Sequence, residues 1–277
     1  MPANIYDWIA QLKSDRWVLD IGSGEGSFPG AEFSCGWLAL DDDPAVFTTR
    51  VRYSRLNGKG HQLPLRDACI DLVICHHSLE HLAPLDQTLA EMARVLKPGG
   101  RCYISVPNGY GLCDAIYRLV FLGGGHINRF RRNALVPLLE QRLDVHLVEW
   151  QKLYSSFVYL RKLMELLERR PPNLPRRLRA IAWFPLSCLG FVQRTIYIGT
   201  RVLDRWLHTD LAVYGWGFFF ERTAVPADAV EQPGYVNVCI QCGSGQAAAT
   251  AAHGRLNCVC GNCCRPYPCF RPFRNTL

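Results

Sequence analysis

The segment that most restricts the fold of this chain is Trp17-Val18-Leu19-Asp20-Ile21, followed at once by Gly22-Ser23-Gly24-Glu25-Gly26. A short apolar run bounded by turn residues reads as a strand buried in a parallel sheet. The glycines that alternate after it let the backbone turn with positive φ and let a ligand lie against the main chain. A second apolar run, Gly36 to Leu40, ends in Asp41-Asp42-Asp43-Pro44. A strand, a glycine loop and a carboxylate closing the next strand make a cradle for an adenosine-type ligand. The loop approaches closely, and the carboxylate accepts hydrogen bonds from ribose hydroxyls.

Dinucleotide loops normally read Gly-x-Gly-x-x-Gly; here the third glycine falls one residue early. Asp20, just before the loop, is poorly suited to a pyrophosphate and suits a ligand with an ammonium group. It either holds such a group, directly or through water, or anchors the loop amides. Residues 18–26 resemble the first motif of the class I S-adenosylmethionine (SAM) dependent methyltransferases, of the type 11 kind. The resemblance continues through Leu40-Asp41-Asp42-Asp43-Pro44, Leu63 to Cys75, His76 to Leu82, and Leu89 to Pro107, and covers about residues 15–150. It implies SAM as cofactor, with Asp20, Gly22, Ser23, Gly24, Gly26, Asp41, Asp42 and His76 around it and Asp41 on the ribose. It also implies an α/β fold, a doubly wound seven-stranded Rossmann-like sheet. Two departures stand out. Lys59 occupies a position where many such enzymes carry an Asp for the adenine, which leaves backbone groups, His61 or Gln62 for that task. Phe28-Pro29-Gly30 is expected to shorten or distort the helix after the loop.

Expected strands lie near 17–21, 36–41, 71–75 and 101–106, with a poorly marked one inside 51–63. Helices are expected over Ile5 to Leu12, Leu85 to Leu96 (stopped by Lys97-Pro98-Gly99-Gly100) and Asn133 to Arg142. Asp144 to Trp150 and Leu211 to Glu221 would form the antiparallel end of the sheet. The domains are therefore a core over 1–150, an insertion over 151–210, a final core strand within 211–225, and a tail over 235–277.

In the insertion, Tyr154 to Leu167 has a helical pattern that Pro171, Pro172 and Pro175 break. Ile181 to Thr200 has the length of a membrane span, about 20 residues, but Pro185, Gln193 and Arg194 interrupt it. Two readings stand: a helical lid over an apolar substrate or on a membrane surface, or helices packed on the sheet. The basic cluster Arg161, Lys162, Arg169, Arg170, Arg176, Arg177 and Arg179 is either a solvated face or a contact with an anionic membrane or nucleic acid. With a net charge of +7 and 49% apolar residues, the chain can build a full core. Met1 to Ser14 lacks the apolar stretch of a signal peptide, so a cytoplasmic location is expected, peripheral to a membrane if the insertion binds one.

Methyl transfer from a sulfonium needs an aligned nucleophile and, in some cases, a base. His76, His77 and His81 follow the fourth strand. His126, in Gly123-Gly124-Gly125-His126, resembles a glycine–histidine stretch near the active site of such methyltransferases. His126 and His77 are the acid/base candidates, each weighed against a structural role. The absence of an Asn-Pro-Pro-Tyr signature tilts toward an oxygen, carbon or other small-molecule acceptor.

Of 13 cysteines, Cys35, Cys69, Cys75, Cys102, Cys113 and Cys188 are scattered in apolar surroundings and read as buried thiols. Seven lie between Cys239 and Cys269. Cys239-x-x-Cys242 and Cys260-x-x-Cys263 have the spacing of a zinc ribbon, with Cys258 and Cys264 as competitors and Ala247 to His253 as a loose turn region between the pairs. Four thiolates leave no open position, so such a zinc is structural. The leading reading is a SAM-dependent methyltransferase of a small or lipid-like acceptor. The alternatives are an RNA or protein methyltransferase docked by the ribbon, and a non-catalytic methyltransferase-like scaffold.

Overall fold

The computed structural model describes residues 4–28, 31–43, 45, 53–120, 125–154, 186–223, 247–252 and 255–260. Seven strands form its central sheet: β1 (Trp17–Ile21), β2 (Gly36–Asp41), β3 (Ser54–Asn57), β4 (Ile70–His76), β5 (Leu96–Pro107), β6 (Val145–Tyr154) and β7 (Val213–Arg222). Their order is β3-β2-β1-β4-β5-β7-β6. The first five run parallel, and β7 is antiparallel to both β5 and β6. Only β7 is therefore reversed, which sharpens the expectation of an antiparallel end. The order switches direction between β1 and β4. Their carboxyl ends diverge there and open a crevice.

Burial explains why these segments are strands. Val18, Leu19 and Ile21 in β1, and Leu72, Val73, Ile74 and Cys75 in β4, are fully buried, as central parallel strands require. One face carries Leu19, Ile21, Leu40, Val73 and Ile104. Against it pack α2 (Leu85–Val95), through Leu89, Met92 and Val95, and α4 (Arg132–Leu143), through Leu135, Leu139 and Leu143. That spacing of three and four residues puts each set on one helix face. Asp144, in the left-handed region at φ 53°, ends α4 and turns the chain into β6.

The opposite face holds Val18, Trp37, Leu72, Ile74, Tyr103 and Phe219 under α1 (Ile5–Ala10). Among the described residues no helix joins β1 to β2. Phe28, Phe33, Trp37 and Tyr53 fill that space instead: Phe33 lies 4.9 Å from Trp37, and Trp37 stacks on Tyr53 at 5.2 Å. This agrees with the helix-breaking character of Phe28-Pro29-Gly30, of which Pro29 and Gly30 lie outside the described residues.

Two further helices, α3 (Leu112–Val120) and α5 (Leu186–Leu207), flank the late strands, and a separate hairpin pairs β8 (Ala247–Ala252) with β9 (Arg255–Cys260). Two expectations change. The strand expected to stop at Trp150 continues to Tyr154, which was expected to begin a helix. Ala247 to Ala252 is a paired strand, not a loose turn. Gln193 and Arg194 interrupt the apolar run without interrupting helix α5. The remainder of the expected Tyr154 to Leu167 helix, the basic cluster 161–179, Pro185, Cys239, Cys242 and Cys263 lie outside the described residues. No described helix is long and apolar enough to cross a membrane. Cys35, Cys69, Cys75, Cys102 and Cys113 are buried free thiols.

Candidate active site

The loop after β1 is held mainly through its main chain. Gly22 has φ +64°, and a Cβ there would stand 2.6 Å from Ser78 Oγ, which donates to Gly22 O at 2.9 Å. Gly26, at φ +115°, has no room for a side chain against Tyr53. Ser23 N donates to Leu40 O at 3.0 Å, and Gly24 N donates to Asp41 Oδ2 at 2.8 Å. Asp41 Oδ1 accepts from Asp43 N at 3.0 Å. The carboxylate closing β2 thus ties the loop of β1 to its own turn. Asp20 is fully buried and accepts from Ser27 Oγ at 2.7 Å and Ser27 N at 3.2 Å. Burial pushes its carboxyl up to about 6, against the pull of those two hydrogen bonds. Of the roles open to Asp20 from sequence, anchoring the loop is the one its contacts match.

A cavity of about 380 Å³ opens at the crevice, within the range of small-molecule sites. Gly22, Asp41 and Asp42 line one side, Lys59, Gly60 and His61 the floor after β3, and His77, Ser78 and His81 the side after β4. Asp20, Ser23, Gly24, Gly26 and His76 are not in this lining. The residues present fit an adenosine cofactor. Asp41 has spent one hydrogen bond on each oxygen and keeps lone pairs for ribose hydroxyls, and buried Ser23 Oγ has no partner among the described residues.

The histidines after β4 differ sharply. His76 Nδ1 meets Ser105 Oγ at 2.7 Å, its ring packs 4.9 Å from Phe28, and burial lowers it to about 3, so it is neutral. His77 adopts φ +51°, a strained conformation for a non-glycine residue, held by Ser105 O and Oγ on its N–H. Its Nε2 lies 2.6 Å from the hydroxyl of Tyr214, on which the ring stacks, and its Nδ1 lies 3.6 Å from Glu80 Oε1. Burial raises the Tyr214 phenol well above its ordinary value. A protonated phenol can donate to Nε2, which leaves the ring hydrogen on Nδ1, facing Glu80.

His126 is not in the cavity lining. Its Nδ1 meets buried Asp114 at 2.9 Å, it stacks on Tyr117, and burial lowers it below its ordinary value. Sequence reasoning did not single out Ser78, Glu80, Asp114 or Tyr214. For Tyr214, 137 residues from His77, no sequence signal exists. For Glu80 the cue was its place beside His81 in the turn after β4.

The glycine loop, the Asp41 clasp and the strand order agree with what the chain is similar to. Residues 19–104 match the type 11 family described as a methyltransferase domain. That match spans β1 to most of β5. A ubiquinone/menaquinone biosynthesis C-methyltransferase of Acidiphilium cryptum is 35% identical over 106 residues, 32% of this chain and 41% of that protein. A malonyl-[acyl-carrier protein] O-methyltransferase of Methylococcus capsulatus is 30% identical over 187 residues, 58% of this chain and 66% of that protein. The chain spans about two fifths to two thirds of the length of these relatives. A SAM-dependent methyltransferase structure from Archaeoglobus fulgidus superposes with TM-score 0.50 at 19% identity, over 79% of this chain and 91% of that one. The [4+2]-cyclase SpnF superposes with TM-score 0.53 at 13% identity, over 80% and 79%. At these identities the structures speak for the fold alone.

Proposed function

We propose that the chain transfers the methyl group of SAM to a small, lipid-like acceptor. The observation that carries this reading is the loop Gly22–Gly26, clasped by Asp41 beside a cavity at the β1/β4 crevice. The bound cofactor supplies a methyl already activated by its sulfonium. The chain's own residues do the rest. Gly22, Ser23, Gly24 and Gly26 give the loop its shape, Asp41 and Asp42 receive the ribose, Asp20 fixes the loop through Ser27, and His76 backs the site. His77, backed by Glu80 and Tyr214, is placed to take a proton from the acceptor at Nε2 once the acceptor displaces the phenol. His126 is the second acid/base candidate.

Two observations bear on the acceptor. The relatives are, by their names, a ubiquinone/menaquinone biosynthesis C-methyltransferase and a malonyl-[acyl-carrier protein] O-methyltransferase, which favours a small acceptor. Helix α5 leaves Phe191, Ile198, Val202 and Trp206 exposed at helical spacing, a face suited to an apolar substrate or a membrane surface. Its root is at the right place: Pro107 of β5 pairs with Gly215 and Tyr154 of β6 with Val213, so the insertion leaves and re-enters at the carboxyl-end edge. We also assign a structural zinc to Cys239, Cys242, Cys260 and Cys263, with the β8–β9 hairpin lying between the two inner ligand positions and ending at Cys260.

Calorimetric titration with SAM is the test, followed by release of S-adenosylhomocysteine across quinol, acyl-thioester, RNA and protein acceptors. No binding at millimolar cofactor sinks the reading. Turnover only on RNA or protein, dependent on residues 235–277, would move the acceptor to the docking alternative. The shared fold of a cyclase shows why turnover has to be measured and not inherited; binding without turnover on any acceptor leaves the non-catalytic scaffold.

A further inference from the structure

Glu80, His81 and His126 each offer a metal-ligating atom within 4.8 Å of those of the other two. No hydrogen bond joins any pair of these side chains among the described residues. Glu80 is 1% exposed, and its Oε2 has no hydrogen-bond partner among the described residues. A buried carboxylate oxygen left without a donor is unfavourable unless a cation or a proton neutralises it.

The two imidazoles are prepared for such a cation. His81 Nδ1 lies 3.0 Å from Gly125 O, and a carbonyl can only accept, so the ring hydrogen is on Nδ1. His126 Nδ1 lies 2.9 Å from Asp114 Oδ1 and is the donor for the same reason. In the neutral rings each Nε2 then carries a free lone pair. Asp114 is itself buried and fixed by Arg118 Nε at 2.6 Å. A carboxylate or carbonyl behind the far ring nitrogen is how metal-bound histidines are oriented. The segments are also bolted together: Glu80 O accepts from Ile127 N and Asn128 N, and Asn128 Nδ2 donates to Leu79 O and Leu82 O.

We propose that Glu80, His81 and His126 bind one divalent first-row transition cation beside the cavity. Two imidazoles and one carboxylate suit zinc, manganese, iron(II) or cobalt rather than calcium or magnesium. Three protein ligands leave coordination positions open. His81 also lines the cavity, so the ion sits beside the space that fits the cofactor. If the methyl-transfer reading holds, an open position is available to an acceptor oxygen, and His126 then serves as a ligand and not as a base.

The test is a cobalt(II) titration of the full chain, because thiolate-bound cobalt has an intense charge-transfer band that imidazole- and carboxylate-bound cobalt lacks. The expected result is one equivalent of cobalt with weak d–d absorption and no thiolate band, in addition to any cobalt held by the cysteine tail. Glu80→Gln and His81→Ala should each weaken that equivalent at least tenfold and leave the thiolate band unchanged. Absence of the thiolate-free equivalent in the wild-type protein overturns the proposal, whatever the variants do. So does wild-type affinity in both variants. A parallel titration with S-adenosylhomocysteine separates the two claims: cofactor bound without cobalt removes the metal site alone, and cobalt bound without cofactor removes the methyl-transfer reading alone.

Discussion

On the β1–β2 side of the crevice, main-chain groups do most of the holding, with Asp20 and Asp41 as their anchors. On the β4–β7 side, side chains do it: His77 with Tyr214 and Glu80, His81 and His126 with their fixed partners. The first side is assembled from residues close in sequence, Asp20 to Asp43. The second gathers residues 76–81, 114, 126 and 214. On the methyl-transfer reading, the main-chain cradle recognises what all reactions of a kind share, the cofactor. A side-chain constellation can be rebuilt for a different acceptor without disturbing that cradle.

The largest expected effect breaks the cradle alone. Gly22→Val would place a Cβ against Ser78 Oγ at a φ that costs about 1–3 kcal/mol for a side-chain-bearing residue. With the clash added, affinity for S-adenosylhomocysteine should fall roughly 100-fold, at about 1.4 kcal/mol per factor of ten, as calorimetry would record. An unchanged affinity would mean that the loop is not the cofactor site.

The two sides should also answer pH with opposite signs. His76 is depressed to about 3 in the folded state. Its contribution is complete above the ordinary histidine value and is lost as pH falls below about 6.5. Asp20 is raised to about 6, so its buried charge costs stability above that value, and the cost is relieved as pH falls toward the ordinary Asp range. Asp20→Asn, which keeps only the histidine effect, should lose stability between pH 7 and 5, whereas His76→Asn should gain it. The two slopes should differ by about 3 kcal/mol over that interval, at about 1.4 kcal/mol per unit; urea denaturation at both pH values measures this. Parallel slopes would show that one of the two groups is not buried as described.

Tyr214→Phe removes the hydroxyl 2.6 Å from His77 Nε2 and should sharpen the contrast. Turnover should drop about tenfold, less than the roughly 100-fold or more of a full acid–base group, because the phenol only selects the tautomer of His77, while cofactor affinity stays within about twofold. A matching loss of affinity would mean that the two sides are not separable. The smallest effect belongs to the root of the insertion. Asp204 accepts from Thr209 Oγ1 and from the amides of Leu211 and Ala212. Asp204→Ala should cost about 1 kcal/mol, visible as faster amide exchange at 211–213 with little change at β1.

This division also explains what could be read from the sequence. Gly22 to Gly26 and Asp41 are legible because loop conformation and a neighbouring carboxylate are local properties. The lack of a helix among the described residues between β1 and β2 was foreshadowed for the same reason. The partner of His77 was not: the aromatic run 213–220 announces a strand, but pairing register decides that Tyr214 is the residue brought to His77. Glu80 stood in plain view beside His81, yet a missing partner is a property of packing. Strand β3 was poorly marked because only Leu56 in Ser54–Asn57 is buried. Ala247 to Ala252 looked like a turn because alanine is a weak strand former, and pairing with Arg255–Cys260 overrides that.

The Tyr154–Val213 pairing has a consequence for how such a chain can change. It brings both ends of the insertion to adjacent strands, so what lies between them is a graft on a closed stem. Replacing it with a short connection, or with the insertion of a different chain, asks nothing of the sheet beyond this last rung. On the methyl-transfer reading, the acceptor preference of such a protein could then drift by exchange of one cassette, while the cradle for the methyl donor is inherited intact.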